Sequence, residues 1–208
     1  MSVSSEKTDK EEKDKGGLYE TVKVIVQALL IALVIRTFLF QPFNIPSGSM
    51  MDTLLVGDYL FVSKYSYGYS RYSFPFGIVP FDGRVLASEP ERGDIAVFKL
   101  PSDNATDFIK RVVGLPGDEI QVKGGVLHIN GEPVERRRIE DYVETTPGGR
   151  TVRIPRYVET LPNGVSYHVL EARENALWDD TPVYEVPPGH YFMMGDNRDN
   201  SSDSRVQN

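Results

Sequence analysis

Asp107-Phe108-Ile109-Lys110-Arg111-Val112-Val113, followed by Gly114-Leu115-Pro116-Gly117-Asp118, reads as a strand closed by a dense turn. Side chains on a strand alternate with period two, so Lys110 shares a face with Phe108 and Val112. A lysine covered on an apolar face loses hydration, which penalises the ammonium and lowers the pKa. At a pKa of about 10.4 only about 0.04% of a lysine is neutral at pH 7; a fall of about three pH units, some 4 kcal/mol against the ammonium, makes a large fraction neutral. Only such a lysine serves as a base near neutrality. The competing reading of these seven residues is a lysine that snorkels to water along its stem.

Working outward, Tyr59 to Ser63 and Ile95 to Leu100 read as strands, opened by Gly57-Asp58 and Gly93-Asp94. His128-Ile129-Asn130-Gly131-Glu132 reads as a hairpin, because Asn-Gly suits a type I′ turn. Residues 134–186 hold short β-prone pieces and turns, and Tyr191 to Met194 is a last strand. Residues 65–83 read as a long loop whose piece Phe74 to Phe81 either folds onto a core or dips into lipid. With 18 Gly, 14 Pro, 11 Tyr and 10 Phe in 208 residues, the chain is expected to be a turn-rich β protein.

The amino-terminal part differs. Residues 1–17 are polar, carry Lys7, Lys10, Lys13 and Lys15, and read as a disordered tail. Val24 to Ile35 has no charge and a single strongly polar residue, Gln27; Phe38-Leu39-Phe40 extend the apolar run. Residues 19–41 are long enough to span a bilayer if Lys23 and Arg36 snorkel, and Pro42 is expected to end the helix. A single membrane anchor is the first reading. A cleaved signal peptide, with Ser47-Gly48-Ser49 as its small-x-small site, and a buried soluble helix are the others. The tail lysines place the tail in the cytoplasm by the positive-inside rule.

Several chemistries drop out. Without cysteine there is no thiolate or Cys-ligated zinc. His128, His168 and His190 show no metal-ligand spacing, and neither G-x-S-x-G nor a Gly-rich phosphate loop occurs. Counted from Asp196, a calcium loop would need an oxygen ligand, Gly and Glu where Arg198, Ser201 and Gln207 stand. A net charge of −7 argues against a nucleic-acid binder. Arg136-Arg137-Arg138, between Glu135 and Glu140-Asp141, reads as a solvated face, with anionic headgroups as the alternative contact.

Pro46-Ser47-Gly48-Ser49-Met50 follows the anchor as a turn able to present a serine hydroxyl. A serine nucleophile needs a base, and lysine is the candidate here. With Gly57-Asp58, Arg92-Gly93-Asp94-Ile95, Lys110-Arg111 through Gly117-Asp118, and Gly195-Asp196-Asn197-Arg198 through Ser204-Arg205, this combination resembles the bacterial type I signal peptidases, which are membrane-anchored Ser–Lys peptidases. The five blocks occur in the family's order and cover the chain from about Gln41 to Arg205.

The resemblance implies a mainly β fold: an N-terminal transmembrane helix followed by an extracytoplasmic β-rich catalytic domain with an inserted β subdomain. The implied divisions are a tail (1–17), an anchor (18–41), a catalytic domain in two parts (42–118 and 191–208) and the insert (119–190). It implies Ser49 as nucleophile, Lys110 as general base, Ser47 with the Ser49 backbone N–H as oxyanion donors, and Ser201 orienting the Lys110 amine. Phe43, Ile45, Met50, Leu54, Phe108 and Ile109 would line substrate pockets that select small side chains at P1 and P3. Asp196, Arg198, Asp203 and Arg205 would be structural, as would Arg111, ion-paired with Asp203. No metal or organic cofactor is implied. The implied partners are signal peptides of exported preproteins and membrane phospholipid, with no nucleic acid, for a monomer in the bacterial inner membrane with its catalytic domain on the periplasmic side.

Asp52 stands where the family commonly has proline and Phe108 where it commonly has tyrosine. The chain stops at Asn208, where family members usually continue through further strands, so it is expected to be a truncated form or fragment. A membrane-anchored β module that binds exported proteins without cutting them is the alternative function. A self-cleaving Ser–Lys repressor would instead carry a DNA-binding helix-turn-helix.

Overall fold

The computed structural model describes residues 3–74, 81–145, 148–173 and 175–206, with side chains from Gly17 onward. Residues divide into two units, Met1–Pro42 with Phe61–Ser88, and Phe43–Leu60 with Glu89–Asn208. These units do not follow the expected divisions: 61–88 groups with the helix, and 119–190 groups with the strands around it in sequence.

In the first unit, helix α1 (Val3–Val34) continues into a wider π-type turn, Ile35–Leu39. It starts inside the stretch expected to be a disordered tail. Helical geometry stops at Leu39, and strand β1 (Phe40–Asn44) already contains Pro42, the expected terminator; the expected strand Tyr59–Ser63 forms as β2. Gly17–Leu39, 23 residues, is long and apolar enough to cross a membrane; at 1.5 Å per residue this reaches roughly 35 Å against a hydrocarbon core of about 30 Å. Leu29, Leu30, Ile31 and Leu33 are exposed along it. At its end, Phe38 stands edge-on to Tyr69 and Phe74. The Tyr69 hydroxyl donates to the Phe38 carbonyl at 2.8 Å, and the Lys64 N–H donates to the Leu39 carbonyl at 2.9 Å. The expected loop holds one short helical turn, Arg71–Ser73, capped reciprocally by Ser70 and Ser73. Residues 75–80, the centre of the proposed lipid-dipping piece, lie outside the described residues.

The second unit is β throughout. Strands β3 (Ile95–Lys99), β4 (Asp107–Gly114) and β14 (Phe192–Met194) form an antiparallel sheet with β4 in the centre. Strands β5 (Glu119–Lys123), β6 (Val126–Ile129), β7 (Glu132–Pro133) and β13 (Tyr184–Glu185) form a second sheet, in the order β13-β5-β6-β7. The turn between β6 and β7 is the expected Asn-Gly hairpin: Ile129 pairs with Glu132, and Asn130 and Gly131 take φ of 55° and 83°. In a third sheet, β11 (Arg156–Thr160) lies between β8 (Glu135–Arg138) and β12 (Ser166–Leu170). Strands β9 (Tyr142–Thr145) and β10 (Thr151–Ile154) pair with each other. The fold is mainly β with an N-terminal apolar helix, as expected.

The larger core gathers Val113, Ile120, Val122, Leu127, Ile129, Val169, Phe192 and Met194, among others, from all three larger sheets. The inserted strands therefore share one core with β4 and β14. Arg136, expected on a solvated face, is not on one: its guanidinium stacks on Tyr157 at 3.7 Å and pairs with Glu171. Stacking on an aromatic ring and a fork-shaped bond to carboxylate are what a planar guanidinium does better than an ammonium.

Leu127 has no exposed surface. Leu127→Ala is therefore expected to lower stability by about 2–5 kcal/mol, through lost transfer energy plus a residual cavity, read from urea unfolding of the full chain in detergent.

Candidate active site

Ser49 sits in a short helical turn, Gly48–Met50, and is 5% exposed. Lys110 comes from the centre of β4 and is 4% exposed. From Ile109 to Gly114 every residue of β4 is buried, so both faces of this central strand are covered. The lysine stem runs inward, with its amine at Ser49, instead of snorkelling to the surface. Lys110 Nζ lies 2.7 Å from Ser49 Oγ and 3.0 Å from the Ile109 carbonyl oxygen, and 5.1 Å from the Phe108 ring centre. Burial pushes the Lys110 pKa below its ordinary 10.5, against the pull of Asp203 and Asp196, which favour the ammonium.

The turn is held from several sides. Asn197 donates its backbone N–H to the Ser49 carbonyl and its side-chain amide to the Gly48 carbonyl, each at 3.0 Å. Thr53 Oγ1 donates to Asp196 at 2.5 Å. Gly195 passes so close that a Cβ there would stand 2.5 Å from the Ser49 carbonyl oxygen and 2.3 Å from Ser201 Oγ, so only glycine fits. Ser47 Oγ lies 3.4 Å from Ser49 Oγ, in an exposed, extended residue just before the turn.

Two expectations are corrected. The Arg111 guanidinium pairs with Asp196, at 2.9 Å from Nε and 2.7 Å from Nη2, and not with Asp203. Asp203 is already engaged by Arg205, two residues on, through two bonds of 2.9 Å. Burial would raise the Asp203 pKa, but the Arg205 guanidinium overrides it and holds the carboxyl below its ordinary value. Ser201 does not orient the Lys110 amine: among the described residues the amine's hydrogen bonds join it to Ser49 and the Ile109 carbonyl, and Ser201 Oγ instead packs against Gly195 and favours the ionised Asp203 carboxyl.

Arg198 forms a fork with Glu159, with its Nη1 bond at 3.0 Å, and its Nη2 also donates to the Tyr167 hydroxyl at 3.2 Å. Tyr167 in turn donates to Glu159 at 2.9 Å and lies under the Arg111 guanidinium, 4.2 Å away. Burial, and then the Glu159 charge, keep Tyr167 protonated far above its ordinary pKa. Glu159 and Tyr167 were not among the sequence candidates, because only the β11–β12 register brings them beside Arg198. Asn197 lies inside a matched block, but no role was assigned to it from the sequence.

Of the expected pocket residues, Ile45, Met50 and Ile109 are buried together, with Phe43 and Leu54 partly buried against them. Phe108 stands apart, edge-on to Phe98. Among the described residues no group of three or more His, Asp or Glu side chains is placed to hold a metal ion.

A serine hydroxyl and a desolvated lysine amine in hydrogen-bond contact on a β scaffold are groups of the kind a serine hydrolase can use, with an amine where others use imidazole. The family model for signal peptidase, peptidase S26, matches residues 18–207. Signal peptidase I of Rickettsia conorii (strain ATCC VR-613 / Malish 7) is 42% identical over 212 residues, spanning 96% of this chain and 74% of that protein. The Rickettsia typhi (strain Wilmington) protein of the same description is 43% identical over 222 residues, spanning 99% and 77%. A crystal structure of a signal peptidase I from Enterococcus faecalis V583 aligns with 57% of this chain and 86% of its own at 31% identity and a TM-score of 0.32. The chain belongs to the signal peptidase, peptidase S26 family.

Removing one partner of a buried ion pair leaves the other charged and unpaired, so Asp196→Ala is expected to cost about 3–5 kcal/mol in urea unfolding. Lys110 behaves in the opposite sense. Its folded pKa lies below its unfolded one, so the unfolded chain binds more protons and wild-type stability rises with pH toward 10.5. Lys110→Met should be at least as stable as wild type at pH 7, with a flatter stability–pH curve over that range.

Proposed function

We propose that this chain is a membrane-anchored endopeptidase that removes N-terminal signal peptides from exported preproteins through a Ser49–Lys110 dyad. The 2.7 Å contact between a buried serine hydroxyl and a buried lysine amine carries the reading; the family supplies the substrate class.

Neutral Lys110 takes the Ser49 proton as Oγ attacks the scissile carbonyl, and the resulting ammonium gives the proton to the leaving amine. Water, deprotonated by the same amine, then hydrolyses the acyl-enzyme ester. Ser47 Oγ and the Ser49 backbone N–H are the oxyanion donors; Ser47 stands on the open side of Ser49 at 3.4 Å. Losing one such donor typically costs 10²–10³-fold in rate. The preprotein binds extended beside the turn through backbone hydrogen bonds. Ile45, Met50 and Ile109 pack against Phe43 and Leu54 in one apolar cluster, and in this reading its edge lines the pockets for small P1 and P3 side chains. No organic cofactor takes part.

Gly17–Leu39 anchors the chain in the bacterial cytoplasmic membrane, and the tail lysines keep the amino terminus inside. The catalytic residues, which follow the anchor in the sequence, then lie on the periplasmic side, where translocated signal peptides are found. The chain works as a monomer against phospholipid and contacts no nucleic acid.

The test is incubation of the full chain in detergent with a preprotein, with product masses as readout. Ser49→Ala and Lys110→Ala should each lower kcat by about 10³-fold or more while the variants remain folded; cleavage near the wild-type rate by either rejects the dyad. The rising limb of kcat/KM against pH reports Lys110 losing its proton, so its midpoint should lie below 10.5.

A further inference from the structure

Asp52, three residues past Ser49, sends its carboxylate away from the Ser49–Lys110 contact, to the insert. Its Oδ2 accepts from Arg156 Nη1 and from His168 Nδ1, each at 2.9 Å, across 104 and 116 residues of sequence. Arg156 opens β11 and His168 lies mid-β12, two paired strands, and Arg156 is itself steadied by donating from Nε to the Glu140 carbonyl at 3.1 Å. Neither the Asp52 carboxylate nor the Arg156 guanidinium lies free on the surface: their side chains are 14% and 23% exposed.

Strand alternation gives this ladder a second hold on the same site. Tyr167 and Glu159 occupy the face opposite His168, and they bind Arg198 and pack under Arg111. One face therefore grips the segment that carries Asp196 and Asn197. The other grips the exit of the Ser49 turn. Between these two holds, the turn is also restrained by Thr53 to Asp196 and by Asn197 to the Gly48 and Ser49 carbonyls.

We infer that Asp52 is a positioning residue for the reaction: through Arg156 and His168 it fixes the exit of the Ser49 turn to the β11–β12 ladder, and so sets the approach of Ser49 Oγ to Lys110. This rests on the Ser49–Lys110 reading. It assigns the insert a task in catalysis beyond filling the core. Because positional errors near 1 Å cost up to 10²-fold in rate, the effect falls on turnover rather than on substrate binding.

The experiment uses the full chain in detergent with two readouts: steady-state kcat and KM on a preprotein, and the rate at which a penem acylates Ser49, followed by mass. Ser49→Ala is the blank for both. Asp52→Ala and Arg156→Ala should lower kcat and the acylation rate by about 10- to 100-fold, with KM within about twofold and thermal midpoints near wild type. Asp52→Asn, which keeps the shape and one acceptor oxygen, should retain most of the rate. The exchange Asp52→Arg with Arg156→Asp should recover much of what either change loses alone. Wild-type kcat in Asp52→Ala overturns the inference. So does a loss confined to KM, or Asp52→Asn failing as badly as Asp52→Ala while folded. If the exchange variant does not fold, Asp52→Asn decides. A wild-type chain that acylates without cutting the preprotein overturns the substrate reading alone, and the acylation rates still judge Asp52. A wild-type chain that does neither overturns both.

Discussion

The Lys110 amine is buried beside Ser49, where its surroundings disfavour the ammonium, and the charged groups of the site are arranged around it. Burial is the cause, and nearby Asp196 and Asp203 oppose it. The fold answers by giving each carboxylate its own guanidinium, Arg111 for Asp196 and Arg205 for Asp203, while Glu159 takes Arg198. Three buried anions are thus matched by three buried arginines, and among the described residues Lys110 has no ion-pair partner. Arginine suits this task because it stays charged under any burial and binds a carboxylate with two parallel bonds.

The same pairing explains why Asp196, Arg198, Asp203 and Arg205 of the polar segment after β14 can be buried. A buried ion pair adds little net stability compared with an apolar replacement, but it tolerates the loss of neither member. Asp196 is the joint: it holds Arg111 on β4 and Thr53 beyond the Ser49 turn, and its backbone carbonyl accepts from Leu170 at the end of β12. Serine and lysine arrive from positions 61 residues apart and meet because this one carboxylate is tied to both of their segments.

What was legible from residues alone follows from the range of the interactions. β4, its turn and the Asn130-Gly131 hairpin depend on local alternation and on φ preferences, so they read correctly from sequence. Ser49 and Lys110 were legible because five short blocks stand in a specific order, although neither residue is distinctive by itself. The choice of partner was not legible. Arg111 has Asp196 and Asp203 within the same block, and only the path of the chain after β14 decides which carboxylate it meets. Nor was Arg136, because a run of three arginines reads as surface until Tyr157 and Glu171 are seen beneath it.

The helix was misjudged in a more instructive way. Pro42 was expected to stop it, yet the chain leaves helical geometry at Phe40. Proline explains why a helix cannot continue but does not say where it ends. Here the Leu39 and Phe38 carbonyls, which an uninterrupted helix would occupy with later N–H groups, are taken by Lys64 and Tyr69. Competing donors from the 61–88 segment satisfy the helix end before the proline is reached. The chain is therefore extended from Phe40 on, so that Phe43 and Ile45 alternate along the path that leads into the Ser49 turn.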